Sequence, residues 1–345
     1  MKRASQAAAL LALVGIAVFL AWNHYERRCL QSPISGLVAP VEFDVPRGSS
    51  LTSVARRLEA SGLMDRPGSW LRYARRKGLA TRLKAGEYRL QPGTSPTMLL
   101  DQFVAGAVIL HAVTLPEGWT FRQALAAIQS HPQVKAELKG LSDAQILARL
   151  GMRDAHPEGL FFPDTYRFPR AATDRELLRQ AHERLESELA GAWSRRAEGL
   201  PLDSPYEALI LASLVEKETG APEERPLIAG VFINRLRKGM RLQTDPSVIY
   251  GLGEKFDGDL RRRDLEADTA YNTYLRAGLP PTPIALAGRE SLEAAVRPAA
   301  TGSLYFVATG LGDGRHYFAA TLDVHNANVS RHLANLRRGR GVRVR

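Results

Sequence analysis

Apolar and polar positions along residues 40–108 predict a small unit that contains both helices and strands. Short alternating stretches are typical of strands, and apolar residues three or four positions apart are typical of helices. The predicted order is strand 41–45, helix 50–61, helix 69–77, strand 86–90 and helix 97–105. This order indicates an independent module, which could bind a ligand or act as a spacer.

The pattern changes at residue 109 and predicts a larger mixed domain over residues 109–345. A strand at 109–115 leads into a helix that begins near Thr120. Two short aromatic stretches near the carboxyl end flank a glycine-rich turn, which predicts a hairpin. Further helices are predicted at about 143–150, 174–190, 204–220 and 223–238. The fold class predicted for the chain is therefore α+β.

The helix predicted for residues 204–220 is apolar around most of its circumference. Ser204 and Glu207 have the spacing of a capping box, and Gly220 is a suitable stop. Between these ends, residues 208–215 contain one polar side chain, Ser213. A helix with this composition is expected to be buried on most sides.

Two carboxylates, Glu216 and Glu218, end this helix. Burial raises the pKa of a carboxyl group, so either could donate a proton near neutral pH. Glu216 lies one turn beyond Ala212 and Ser213, and these small residues predict room for a ligand beside it. Periodicity alone favours the alternative, in which both glutamates lie at a solvated helix end.

The amino-terminal segment predicts a membrane anchor at residues 7–23, because it is uncharged and has the length of a helix that crosses the hydrocarbon core. Bulky Phe19 disfavours cleavage as a signal peptide. Residues 1–6 would then be a short cytoplasmic terminus and residues 24–39 a linker. Basic residues flank both ends of the segment, so charge alone leaves its orientation open.

Composition and motifs limit the kinds of partner and of catalysis that are expected for this chain. The chain has 345 residues, 45% hydrophobic content, 24% charged content and a net charge of +11, which favours an anionic partner. No zinc-finger spacing or RNA-binding signature is present, so nucleic acid is not expected. No metal or cofactor motif occurs, and the single cysteine, Cys29, cannot form an intrachain disulfide. Carboxylate chemistry remains by elimination.

Three segments, 158–166, 243–248 and 271–274, mix aromatic and polar residues. Sugar-binding clefts need aromatic faces for the rings together with amides or hydroxyls for the sugar oxygens. Each segment alone is typical of a structured loop, whereas the combination with the glutamate-ended helix suggests a glycan site.

Six ordered blocks carry a resemblance to a known family. They are Phe162-Pro163-Asp164-Thr165-Tyr166, Leu211–Thr219, Val231–Leu236, Leu242–Tyr250, Tyr271-Asn272-Thr273-Tyr274 and Gly278–Ile284. Together they resemble the YceG-like endolytic murein transglycosylases. The resemblance covers nearly the whole chain, and it implies a LysM-like module at residues 40–108 and a catalytic domain at 109–345.

The resemblance implies an endolytic lytic transglycosylase. Such a lyase cleaves the β-1,4 bond between N-acetylmuramic acid and N-acetylglucosamine inside a peptidoglycan strand and leaves a 1,6-anhydro end. It also implies an enzyme of the bacterial inner membrane, single-pass, with its catalytic domain outside the cytoplasm. The implied partners are glycan strands, the membrane, and cell-wall synthases or division proteins.

Residue roles follow from matching the family's blocks to this sequence. The first glutamate of Val215-Glu216-Lys217-Glu218-Thr219 matches the catalytic one, so Glu216 is the predicted acid and base. No metal or cofactor is implied. Substrate-binding candidates are Tyr166, Gln243, Thr244, Asn272 and Tyr274, and residues of structural support are Glu218, Asp164 and Asp245.

Two alternatives remain open from the sequence. A membrane-anchored, non-catalytic scaffold could bind glycan through the module at 40–108. A hydrolytic muramidase could use the same acid with water as the nucleophile.

Overall fold

The computed structural model describes residues 2–153 and 156–342. For residues 2–5, 7–9, 12 and 339–342 it describes the backbone only. The chain divides into two compact units, Met1–His111 with Phe168–Arg170, and Ala112–Arg167 with Ala171–Arg345. The predicted α+β class is confirmed.

The first unit contains the predicted strand–helix–helix–strand order. Its two strands, β1 and β2, pair antiparallel with Val41 opposite Leu90 and Val45 opposite Gly86. The elements are α1 (Lys2–Gln31), β1 (Val41–Val45), α2 (Leu51–Ala60), α3 (Pro67–Arg76), β2 (Gly86–Leu90) and α4 (Pro96–Ala105).

Phe103 of α4 lies at the centre of this unit's core. Its ring contacts the rings of Phe43, Trp70 and Tyr88, with centroid distances of 5.9, 6.5 and 4.6 Å. The polar atom of Trp70 is satisfied, because its indole N–H donates to the carbonyl of Pro96 at 2.8 Å. Aromatic burial of this kind holds the two-stranded sheet against its helices.

The predicted linker at 24–39 is helical as far as Gln31 and packs into the same core. Leu30, Ile34 and Leu37 are buried there. The predicted anchor at 7–23 includes residues 7–9 and 12, whose side chains lie outside the described part of the chain. Within the described part of the chain, no helix combines the length and the hydropathy needed to cross a membrane.

The second unit is built mainly from helices with three small strand pairs. Strand β3 pairs with β5, β4 pairs parallel with β6, and β7 pairs antiparallel with β8 as the predicted hairpin. The strands are β3 (Leu110–Thr114), β4 (Val134–Lys135), β5 (Thr165–Pro169), β6 (Ala172–Thr173), β7 (Tyr305–Ala308) and β8 (His316–Ala319). The helices are α5 (Phe121–Ser130), α6 (Asp143–Leu150), α7 (Asp174–Ser194), α8 (Pro205–Glu218), α9 (Arg225–Arg237), α10 (Asp245–Leu252), α11 (Arg262–Leu265), α12 (Arg289–Val296) and α13 (Leu322–Val342).

Helix α8 is the centre of the second unit, and it packs against α7, α9, α10 and α12. Every residue from Ala208 to Val215 is buried, as the sequence predicted. The side chain of Ser204 caps the helix by accepting the N–H of Glu207. Glu207 bonds the N–H of Asp203 at 2.7 Å, so the capping box is shifted by one residue.

Gly220 does not end α8 in the predicted way. The helix ends at Glu218, and Thr219 leaves it in an extended conformation with φ −135°. The hydroxyl of Thr219 then accepts the N–H of Ala221 at 2.9 Å. A threonine turn therefore replaces the expected left-handed glycine.

We expect Phe103→Ala to destabilise the first unit by about 3–5 kcal/mol, because it removes a fully buried aromatic ring and leaves a cavity. Hydrogen exchange, followed by mass spectrometry for peptides of β1, β2 and α4, measures the loss. Met98→Ala on the same helix is the matched control, since Met98 is 57% exposed. Equal protection in the two variants would contradict this assignment of the core.

Candidate active site

The two glutamates that end α8 point to different sides of the helix. Residues two apart in a helix are separated by roughly 200° around its axis. Each carboxylate consequently has its own set of partners: Glu216 faces α9 and the start of α12, whereas Glu218 faces the residues that precede α10. The site has two carboxylate centres.

The Glu216 carboxylate is buried and held at both oxygens. Its side chain is 6% exposed. One oxygen, Oε1, accepts from Nη2 of Arg225 at 3.3 Å, and the other, Oε2, accepts the backbone N–H of Gly288 at 3.0 Å. These bonds fix the orientation of the carboxylate, and hydrogen bonds from a guanidinium are among the stronger ones in proteins.

Arg225 is shared by three carboxylates. Besides Glu216, its Nη2 lies 3.7 Å from Oε2 of Glu117, and its Nη1 donates to Oε2 of Glu290. The Arg225 side chain is 10% exposed, whereas those of Glu117 and Glu290 are 48% and 67% exposed. Glu216 is the buried member of the cluster.

Glu117 belongs to a turn that is fastened beside Glu216. The N–H of Gly118 donates to the carbonyl of Leu286 at 2.8 Å, and the ammonium of Lys217 donates to the carbonyl of Gly118 at 3.1 Å. Burial, and next the negative charge of Glu216, raise the pKa of Glu117 above its ordinary value. The turn therefore places a second carboxyl group beside the first, and the pKa of this second group lies above that of an ordinary glutamate.

The room expected beside Glu216 is filled by the protein itself. Ala212 and Ser213 are fully buried. The hydroxyl of Ser213 donates to the carbonyl of Ile210 at 2.7 Å and accepts the N–H of Ile284 at 3.0 Å. The small side chains thus admit the segment that leads to Gly288. The sequence interpretation, in which they admit a ligand, was wrong on this point.

Glu218 is surrounded differently and has no guanidinium bond in the described residues. The hydroxyl of Thr244 donates to its Oε1 through a short hydrogen bond. Burial is the main cause that raises the pKa of Glu218 to about 7, and the negative charge of Asp245 adds to it. This carboxyl group is therefore poised to change protonation near neutral pH.

Several of the predicted substrate-binding residues gather around Glu218. Thr244 is buried and bonds it directly, while the hydroxyl of Tyr274 donates to Asp245 at 2.6 Å. Gln243 is exposed and has a positive φ of 51°, with its side-chain oxygen accepting from Arg235 at 3.2 Å. The burial of Tyr274 raises its pKa, so its hydroxyl stays protonated.

Asn272, Tyr166 and Asp164 make local bonds. Asn272 is fully buried, and its amide donates to the carbonyls of Leu265 and Ala267 at 2.9 and 2.7 Å. Tyr166 is buried, with its hydroxyl donating to the carbonyl of Phe162 at 2.6 Å. Asp164 accepts the N–H of the next residue at 2.7 Å, as in a turn.

A further buried carboxylate, Glu158, escaped the sequence reasoning. Its Oε1 accepts the N–H of Phe121 at 2.8 Å, and its Oε2 accepts the hydroxyl of Tyr250 at 3.1 Å. Burial raises the pKa of Glu158 to about 7. Its neighbour Gly159 lies against Pro283, where an added Cβ would approach within 2.4 Å of the proline Cβ.

Arg225, Glu117, Gly288 and Glu290 were also missed as site residues. They come from three separate places in the chain, so no local motif joins them to Glu216. One local signal was present, the strand at 109–115 that runs into the Pro116-Glu117-Gly118 turn. Within the described residues, no group of three or more His, Cys, Asp or Glu side chains could hold a metal ion.

The raised pKa values of Glu158 and Glu218 predict that the folded protein loses stability as pH rises from about 4.5 to about 7. In this window the unfolded chain releases protons that the folded chain retains. The free energy of unfolding therefore falls by up to about 3 kcal/mol for each group. Urea unfolding at a series of pH values measures the slope. Glu158→Gln should flatten it, whereas the exposed Glu266→Gln should not; equal slopes in all three proteins would refute the prediction.

Comparisons with known proteins identify a family to which the chain is similar. The model of the YceG-like family matches residues 43–331. The chain is 33% identical over 317 residues to the endolytic murein transglycosylase of Bacillus subtilis, covering 86% of this chain and 85% of that protein. It is 30% identical over 329 residues to the endolytic murein transglycosylase of Streptococcus pneumoniae, covering 85% of this chain and 58% of that protein.

A solved structure is also similar. The crystal structure of a YceG-like protein from Listeria monocytogenes matches with a TM-score of 0.51 and 29% identity, covering 84% of this chain and 98% of that one. Since the family model spans most of the chain, and a relative above 30% identity is matched over most of its length, the chain belongs to the YceG-like family.

Proposed function

We propose that this chain is an endolytic murein lytic transglycosylase. It cleaves the β-1,4 bond between N-acetylmuramic acid and N-acetylglucosamine within peptidoglycan strands, leaves 1,6-anhydro ends and so terminates glycan elongation. The observation that carries the proposal is the buried Glu216 carboxylate, held by Arg225 and the Gly288 N–H in a chain of the YceG-like family.

Glu216 performs both proton transfers in the proposed mechanism. As the acid, it protonates the glycosidic oxygen while the bond between that oxygen and the anomeric carbon breaks. As the carboxylate, it then takes the proton of the muramic acid 6-hydroxyl, whose oxygen bonds to the anomeric carbon. Because the nucleophile belongs to the same sugar, proximity replaces an activated water, and Glu216 ends the cycle protonated.

Arg225 and Gly288 support the charged stage of this cycle. When Glu216 has given up its proton, Arg225 provides a positive charge at one oxygen and Gly288 provides a backbone N–H at the other. Their bonds also keep the carboxylate from rotating. A fixed orientation suits this mechanism, because the same carboxyl group exchanges a proton with the leaving oxygen and then with the 6-hydroxyl.

Among the substrate-binding candidates, Gln243 is the residue that we propose most strongly as a direct contact to the sugar. It is exposed and is held by Arg235. Tyr274 is half-buried and comes second, while Thr244, Asn272 and Tyr166 are buried and bond within the protein. We propose a positioning role for those three, together with Glu218, Asp164 and Asp245.

Glu216→Gln should abolish release of anhydro-muropeptides from purified peptidoglycan, with a loss of at least about 1,000-fold, because glutamine can neither donate nor accept the proton. Mass spectrometry of the products is the measurement. Glu266→Gln, an exposed charge removal elsewhere in the same unit, should retain wild-type activity.

The same assay separates the two rivals. A muramidase would give reducing ends heavier by the mass of one water, and a scaffold would give no cleavage while still binding glycan. A fully active Glu216→Gln protein would overturn the assignment of the acid. Thr244→Val should reduce activity less than Glu216→Gln does, since Thr244 contacts Glu218.

We also propose that residues 7–23 anchor the enzyme in the inner membrane, with the catalytic domain on the extracytoplasmic side. The support is an uncharged segment within a continuous helix, α1, together with the exposure of its apolar side chains at Leu10, Leu11, Leu13 and Ile16. Residues 40–108 are then a LysM-like module near the membrane, available to glycan, and synthases or division proteins are candidate partners.

Deletion of residues 2–23 should release the protein from the membrane fraction and leave it folded, because the buried residues in the described part of α1 begin at Glu26. Carbonate extraction of membranes, followed by immunoblotting, measures this. A full-length protein that is already extracted by carbonate would argue against the anchor.

A further inference from the structure

Glu117 is a carboxyl group that shares Arg225 with the proposed acid, and nothing in the proposed mechanism uses it. Its Oε2 and the Oε1 of Glu216 approach the same nitrogen, Nη2 of Arg225, at 3.7 and 3.3 Å. The two oxygens are therefore within about 7 Å of each other. At that separation, two like charges in a partly buried site interact appreciably.

The position of Glu117 is fixed by the backbone around it. The N–H of its neighbour Gly118 donates to the carbonyl of Leu286. The N–H of Leu286 in turn donates to the carbonyl of Trp119 at 2.7 Å. The Glu117 carboxylate lies against Gly288, where an added Cβ would be 1.9 Å from Oε1. Gly288 is also the residue whose N–H binds Glu216. One backbone segment thus contacts both carboxylates.

The local charges do not balance when every group is ionised. Glu117, Glu216 and Glu290 surround Arg225, and the nearby Lys217 extends its ammonium to the carbonyl of Gly118. Glu290 is largely exposed and bonds Nη1, the other terminal nitrogen. Glu117 and Glu216 therefore compete for one nitrogen, and a proton on either relieves the repulsion.

We infer that Glu117 is a second carboxyl group of the active centre, a positioning residue that shares one proton with Glu216 across Arg225. The inference rests on the proposed role of Glu216. In the cleavage step, the proton passes from Glu216 to the glycosidic oxygen. Both carboxylates are then negative, and their repulsion favours return of a proton from the 6-hydroxyl to Glu216, so the pair ends the cycle with the one proton it began with.

Carboxyl titration of the full-length protein tests the coupling without any activity measurement. Glutamate labelled with ¹³C at the carboxyl carbon is followed by NMR in the wild type, Glu117→Gln and Glu216→Gln. Glu216→Gln should lower the titration midpoint of Glu117, because it removes a negative charge that, after burial, raises the pKa of Glu117. An unchanged midpoint for Glu117 in Glu216→Gln would overturn the inference.

The pH profile of anhydro-muropeptide release tests the catalytic consequence. In Glu117→Gln the alkaline limb should move down by about one pH unit, and kcat should fall more than KM changes. Glu117→Asp keeps the charge and should restore the limb, while Glu266→Gln should match the wild type. If the alkaline limb of the pH profile did not move in Glu117→Gln, Glu117 would have only a structural role and the proposal would be overturned.

The two proposals fail in different ways. Activity retained in Glu216→Gln, together with a lowered titration midpoint of Glu117, would reject the proposed acid and leave the coupled pair intact. Loss of activity in Glu216→Gln with an unchanged midpoint of Glu117 would keep the acid and reject the pair.

Discussion

Burial of residues 208–215 of helix α8 is the constraint on which the site depends. Because residues 208–215 are enclosed by α7, α9, α10 and α12, the helix can neither rotate nor tilt without breaking close packing. The carboxylates that follow this buried stretch therefore have fixed directions. A surface helix with the same last turn would leave Glu216 and Glu218 free to choose rotamers in water.

Each buried carboxylate accepts hydrogen bonds within the protein, and the donors differ from one carboxylate to the next. Glu216 takes a guanidinium and a backbone N–H, while Glu218 takes a threonine hydroxyl. Glu158 takes a helix-terminal N–H and a tyrosine hydroxyl. Burial raises the pKa values of Glu158 and Glu218 to about 7, and the hydrogen bonds from their neutral partners offset only part of this rise.

Local patterning was sufficient for much of the fold. The alternation at 41–45 and 86–90 and the apolar spacing in 50–61 gave the first unit correctly, and the run of 208–215 gave the buried helix. Helices α10, α12 and α13 and strand β5 were not identified. α10 and α12 are eight residues long, so they offer barely two turns in which a 3.6-residue period can be recognised.

The sequence by itself determined that an apolar helix ends in two glutamates, and its ordered motifs indicated the family and the first glutamate as the acid. Only the tertiary structure decided what surrounds them. It placed Arg225, Glu117 and Gly288 around Glu216, and it placed Thr244 and its neighbours around Glu218 instead. The reason is physical: α8 fixes the direction of each carboxylate by its own geometry, whereas their partners come from distant segments whose approach depends on packing across the whole unit.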